Sequence, residues 1–127
     1  MKLRIKGNSI RFRLLQSEVK RLEAAATITE ATRFGIRTDQ TLKYSIAVSD
    51  GVDELSVEFS DNQILILLPE TDALEWCRGD GVGIENNIEV DGETTLHVLI
   101  EKDYACMSRP DDPDRADAFP NPAELAR

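Results

Sequence analysis

Apolar and polar residues alternate with period two from the first residues onward. Leu3 and Ile5 fall on one side, Lys2, Arg4 and Lys6 on the other. After the turn signal Gly7-Asn8-Ser9, Ile10, Phe12 and Leu14 alternate with Arg11 and Arg13. This predicts a β-hairpin with one apolar and one basic face. Leu15, Val19, Leu22 and Ala26 then recur at helical spacing, with Ser17 as the expected N-cap and Glu18 in the first turn. Residues 27–34 are rich in β-branched side chains and read as a strand. Leu42, Tyr44, Ile46 and Val48 alternate in the next one, which Asp50-Gly51 ends. Leu55, Val57 and Phe59 form another, and Asp61-Asn62 turns into the apolar run 64–68, which predicts burial on both faces. A second short helix is expected from Thr71 as N-cap to Arg78-Gly79, with Ala73, Trp76 and Cys77 on its apolar side. Val82, Ile84, Ile88 and Val90 alternate, Asp91-Gly92 turns the chain, and Leu96, Val98 and Ile100 return.

The element order is therefore ββα, four strands, α, ββ. Eight strands and two short helices make an α+β fold, expected as a strongly curved antiparallel sheet or a barrel-like closure. No clean internal repeat is legible. The prolines at 110, 113, 120 and 122 stop regular structure. The expected organisation is one α+β domain over 1–107 and an extended acidic tail over 108–127.

Composition narrows the class. The chain has 127 residues, enough for one core without staples. Net charge is −9, so nucleic acid and anionic membrane are not expected partners. Cys77 and Cys106 have neither zinc nor redox spacing. No leader or spanning segment is visible, which sets a cytoplasmic expectation.

The charges are sorted. Residues 1–43 carry a balance of +6 and residues 44–127 one of −15. Lys2, Arg4, Lys6, Arg11 and Arg13 share period-two faces of the opening hairpin. Such a face is either the solvated side of an edge hairpin or, if the sheet curls with it inward, the lining of a concavity for phosphate or carboxylate. Lys102 joins these five as a candidate anion ligand. The tail acids complement the hairpin. This predicts an ordered tail against the body, Phe119 partly buried and acids near Arg11 or Arg13.

Other chemistry is thin. His97 is the sole histidine, with no partner identifiable from sequence. Glu85, Glu89 and Glu101 share side-chain parity on paired strands and make a candidate Mg²⁺ or acid–base set. Solvated carboxylates of an acidic protein have the same appearance. A thiolate–carboxylate metal site at Cys106 beside Asp103 has no recognised spacing. Gly79-Asp80-Gly81-Val82-Gly83 lacks the lysine and helix of a phosphate loop. The sequence leaves any cofactor unknown.

The opening Lys2-Leu3-Arg4-Ile5-Lys6-Gly7-Asn8-Ser9-Ile10-Arg11-Phe12-Arg13-Leu14, continued by Gln16-Ser17-Glu18-Val19, resembles the start of a family of small uncharacterised bacterial proteins. Ile100-Glu101-Lys102-Asp103-Tyr104-Ala105-Cys106 and Phe119-Pro120-Asn121-Pro122 resemble its end. The resemblance implies identity and no mechanism. In architecture the chain is also similar to triphosphate tunnel enzymes, eight-stranded barrels lined by basic and acidic side chains. Those open with alternating glutamates, where this chain has Lys2, Arg4 and Lys6. The leading expectation is a non-enzymatic binding or interaction protein that recognises an anionic ligand through its basic hairpin. The alternative is a metal-dependent phosphate-ester or polyphosphate hydrolase.

Overall fold

Two-residue turns set the first hairpins. Gly7 (φ 53°) joins β1 (Lys2–Lys6) to β2 (Ser9–Leu14), and Asp61 and Asn62 (φ 50° and 60°) join β5 (Ser56–Ser60) to β6 (Gln63–Pro69). Positive φ at these positions matches the twist of the flanking strands. The computed structural model, which describes residues 1–105 and 112–122, adds α1 (Gln16–Ala25), β3 (Thr27–Arg33), β4 (Thr41–Ser49), α2 (Glu70–Arg78), β7 (Gly83–Glu89) and β8 (Thr95–Lys102).

The strands form two four-stranded sheets, ordered β1-β2-β8-β7 and β3-β4-β6-β5. This corrects the expected barrel: among the described residues the strands close no barrel. In each sheet two antiparallel hairpins meet along a parallel central pair, β2 with β8 and β4 with β6. Alternation says which side chains face inward. It does not say which strands pair, so this joint left no mark in the pattern.

The inner faces pack as a sandwich. Phe12 on β2 meets Tyr44 on β4 with ring centroids 6.3 Å apart. Phe12, Leu14, Leu22, Ile46, Ile66, Leu68, Val98 and Ile100 are fully buried, each stabilising by about 1.5–3 kcal/mol. Leu65 and Leu67, on the outer side of β6, are only half-buried, so the run is not covered on both faces. Two polar links fasten the edges. The α-amino group of Met1 reaches Glu30 on β3 at 2.6 Å, and Asn86 on β7 donates to the Leu55 carbonyl at 2.9 Å.

These paired links belong to an internal repeat. Ser9, Gln16 and Thr41, which begin β2, α1 and β4, each lie 54 positions before Gln63, Glu70 and Thr95, which begin β6, α2 and β8. The pairings obey the same exchange: β2 with β8 becomes β6 with β4. Buried positions coincide, with Met1 equivalent to Leu55, Phe12 to Ile66, Val19 to Ala73, Leu22 to Trp76 and Ile46 to Ile100. Each sheet takes one hairpin from each half, so neither half can bury its apolar face alone. Both helices touch β4; α1 also touches β2 and β3, and α2 touches β6 and β7. They close the end of the sandwich where the central strands finish. The four hairpin connections lie at the other end.

The helix starts differ from expectation. α1 is preceded by Leu15, not capped by Ser17. The Leu15 amide donates to Glu18 Oε1 at 2.8 Å, and the orphan amides of the first turn are met from the tail. Gln16 N–H donates to the Asp117 carbonyl at 3.0 Å, and Ser17 N–H to Asp117 Oδ1 at 3.1 Å. α2 is preceded by Pro69, not Thr71. Proline's fixed φ suits this position.

Residues 112–122 lie against the body. The Ala105 amide donates to the Phe119 carbonyl and the Phe119 amide to that of Asp103. Phe119 is partly buried against Tyr104, 5.9 Å between centroids. Bonds from the Ser17 hydroxyl and amide hold the Asp117 carboxyl below the ordinary carboxylate value. Its contribution is therefore present above pH 3.8 and lost as pH falls through the lower folded value. Asp117→Ala should lower Tm by roughly 2–5 °C at pH 7 and by less at pH 2.5. Equal losses at the two pH values in melting experiments would rule the cap out.

Candidate anion-binding site

Register fixes the outer face of the first sheet. Lys2, Arg4 and Lys6 on β1 oppose Arg13, Arg11 and Ser9 on β2. Ser9, Arg11 and Arg13 in turn neighbour His97, Leu99 and Glu101 on β8. The opposite parity carries Leu3, Phe12, Val98 and Ile100 into the core. The basic face is thus an outer surface and not the lining of the sandwich interior.

Like charges stand opposite one another twice, Lys2 with Arg13 and Arg4 with Arg11. Such cross-strand pairs are destabilising unless compensated. The first is compensated. Lys2 Nζ lies 2.8 Å from the buried Asp103 carboxylate and 3.6 Å from Asp114, and Arg13 Nε lies 2.7 Å from Glu101 Oε1. The Asp103 contact raises the Lys2 pKa above its ordinary value, against a smaller opposing effect of burial. The second pair has only a share of Glu101, 3.6 Å from Arg11 Nε. Among the described residues, Arg4 and Lys6 form no ion pair. Among the described residues no tail acid pairs with Arg11 or Arg13 as expected: Asp114 goes to Lys2 and Asp117 to Ser17, while Asp111 and Glu124 lie outside the described residues.

Arg4, Lys6, Ser9 and Arg11 line a depression of about 210 Å³. At its margin Ser9 Oγ is 3.4 Å from His97 Nδ1, and His97 Nε2 is 3.0 Å from Glu85 Oε2. If Nε2–H donates to the carboxylate, Nδ1 is free to accept the Ser9 hydroxyl. The site therefore offers three cations, a hydroxyl and a ring oriented by a carboxylate. Sequence reasoning missed Ser9 and its contact with His97. The two residues are 88 positions apart, and only the parallel β2–β8 register brings them together.

The remaining candidates lie elsewhere. Lys102 is buried on the inner side of β8 and does not join the basic face. Its ammonium donates to the Gly79 carbonyl at 2.8 Å and sits 5.7 Å from the Trp76 ring and 5.5 Å from that of Phe119. Parity with Val98 and Ile100 was the available signal. Glu85, Glu89 and Glu101 share the outer face, but Glu85 is bound to His97 and Glu101 to Arg13. No group of three ligating side chains gathers for a metal among the described residues. Cys77 is half-buried, and burial pushes its thiol up; Cys106 lies outside the described residues. Two larger clefts of about 450 and 370 Å³ are walled in part by carboxylates, Asp72, Glu75 and Asp80 in one, Glu23, Asp50 and Glu70 in the other. No described helix is long and apolar enough to cross a membrane.

No curated protein and no solved structure matches the chain. A family model described as a family of unknown function, DUF7009, matches residues 1–123, and the chain belongs to that family.

Proposed function

We propose that the protein is a binding module for a small ligand bearing phosphate or carboxylate groups, held by Arg4, Lys6 and Arg11 over Ser9 and His97. The observation that carries this reading is the internal repeat. In the other half the positions of Arg4, Lys6, Ser9, Arg11 and Arg13 are occupied by Glu58, Ser60, Gln63, Leu65 and Leu67, on strands of the same register. The hairpin geometry therefore does not require cations on its outer face. One half nevertheless carries them, with Arg4 opposite Arg11 at a cost in stability. Local conflicts of this kind concentrate at functional sites.

The −15 balance over residues 44–127 favours a small ligand over a polyanionic chain. Arginine supplies paired, planar donors for phosphate or carboxylate, and lysine a point charge. Glu85 orients His97 and Glu101 shares Arg11, so neither carboxylate is a free metal ligand and the hydrolase reading gains nothing from them. Calorimetric titration with pyrophosphate tests the proposal. At low salt the Kd should be about 1 mM or tighter, equivalent to at least about 4 kcal/mol, and it should weaken steeply in 0.5 M NaCl. Heat that is insensitive to salt, or absent at millimolar ligand, contradicts it.

A further inference from the structure

The helices close one end of the sandwich, and among the described residues nothing comparable closes the other. There, Ile5 on β1 and Phe59 on β5 occupy equivalent positions of the two halves, as do Phe34 just past β3 and Val90 just past β7. The equivalence extends to the backbone. The Phe34 amide donates to the Gln40 carbonyl and the Val90 amide to that of Thr94, each at 2.8 Å. All four have the parity of core residues, yet they are 57, 67, 75 and 61% exposed. Ile36, on the loop that follows Phe34, is 89% exposed. That loop is braced: Arg33 donates to the Gly35 and Ile36 carbonyls, and Asn62 to the Asp39 carbonyl.

The rim of this end is split by charge. The connections of the first half, residues 6–8 and 33–40, carry Lys6, Arg33 and Arg37 against Asp39. Those of the second half, residues 60–62 and 89–94, carry Asp61, Glu89, Asp91 and Glu93 and no base. Ile5 and Phe34 lie on the basic side, where β1 faces β3, and Phe59 and Val90 on the acidic side, where β5 faces β7.

From this surface we propose that the occupant of the open end is a second copy of the chain, in a mouth-to-mouth two-fold dimer. A patch that repeats itself about the molecule's own pseudo-axis is self-complementary in the sense a two-fold interface needs. Two mouth-to-mouth arrangements exist. One sets basic rim on basic rim and acidic on acidic, and the other sets each basic rim on the partner's acidic rim. Like-charge juxtaposition excludes the first, so charge selects one two-fold axis. The apolar side chains of both halves then close over each other as the helices close the opposite end. This accounts for the split of charge around the rim without the anion site, and it rests on different residues apart from Lys6.

Sedimentation equilibrium on the full chain tests it. At about 100 µM protein and low salt the wild type should be largely dimeric, and 0.5 M NaCl should shift it toward monomer. The double variant Phe34→Ser/Ile36→Ser should raise the dissociation constant at least tenfold, while its circular dichroism, and its melting curve at dilutions where both proteins are monomeric, stay unchanged. Phe59→Ser should act in the same direction from the other half. A wild type that stays monomeric at this concentration overturns the proposal. So does a dimer indifferent to these variants, or binding of a different, apolar partner at this end by a monomeric protein.

Discussion

Glu18→Ala is expected to lower the unfolding free energy by about 3–5 kcal/mol, the range for stripping one partner from a buried charge pair. Glu18 is only 3% exposed. Its carboxylate accepts the Leu15 amide at the start of α1 and faces the buried α-amino group of Met1. Glu30 holds that ammonium from the β3 side, and the Tyr44 hydroxyl donates to Glu30 at 3.3 Å. The cluster thus ties strand β1, helix α1 and both sheets together. Without Glu18 the helix loses its inner cap and the ammonium loses its nearer partner. Urea denaturation at pH 7 measures the loss, and a change below about 1 kcal/mol would show that the cluster is not structural. The same cluster sets an acid limb. Burial raises the Glu30 pKa, but the ammonium outweighs it and holds the carboxyl below its ordinary value of 4.5. The stabilisation is therefore present above pH 4.5 and lost as pH falls through the lower folded value. Glu30→Gln should flatten that limb.

Neutralising the candidate site should have the opposite sign. Arg4→Ala/Lys6→Ala/Arg11→Ala should weaken pyrophosphate binding at least tenfold, about 1.4 kcal/mol or more. It should leave stability unchanged or raise it by about 0.2–1 kcal/mol, because the Arg4–Arg11 pair, only partly compensated by Glu101, is removed. Loss of binding with a gain in stability marks residues kept for function. Changing Glu58, Ser60 and Leu65 on the other sheet to alanine serves as the matched control, since these are the equivalents of Arg4, Lys6 and Arg11. Binding should not change there. If the first set unfolds the protein, or both sets weaken binding equally, the cations are not a site.

The order of the elements and the parity of most strands were legible, because burial on one side of a sheet imposes alternation wherever it occurs. Pairing was not legible, since the parallel joints between β2 and β8 and between β4 and β6 connect segments that carry no local mark. The internal repeat escaped for a related reason. Ile10 and Ile64, Leu14 and Leu68, and Ile46 and Ile100 match, but the larger equivalences are Phe12 with Ile66 and Leu22 with Trp76. What repeats is burial and length, not identity. Of the candidate site, the basic face could be read from parity, as could the exclusion of Lys102. Which cations are already neutralised depended on Asp103 and Glu101 arriving from the far end of the chain. The helix caps failed similarly: Ser17 suits an N-cap locally, but Asp117 supplies the bond from the tail.

The most direct test of the proposed site is an amide-resolved NMR titration of the wild-type protein with pyrophosphate at low salt. The account predicts saturable shifts centred on Arg4, Lys6, Ser9 and Arg11, extending to His97 through its ring contact with Ser9, and small ones at the equivalent positions Glu58, Ser60, Gln63 and Leu65. Shifts absent at millimolar ligand, or centred on the clefts beside α1 and α2, would contradict it.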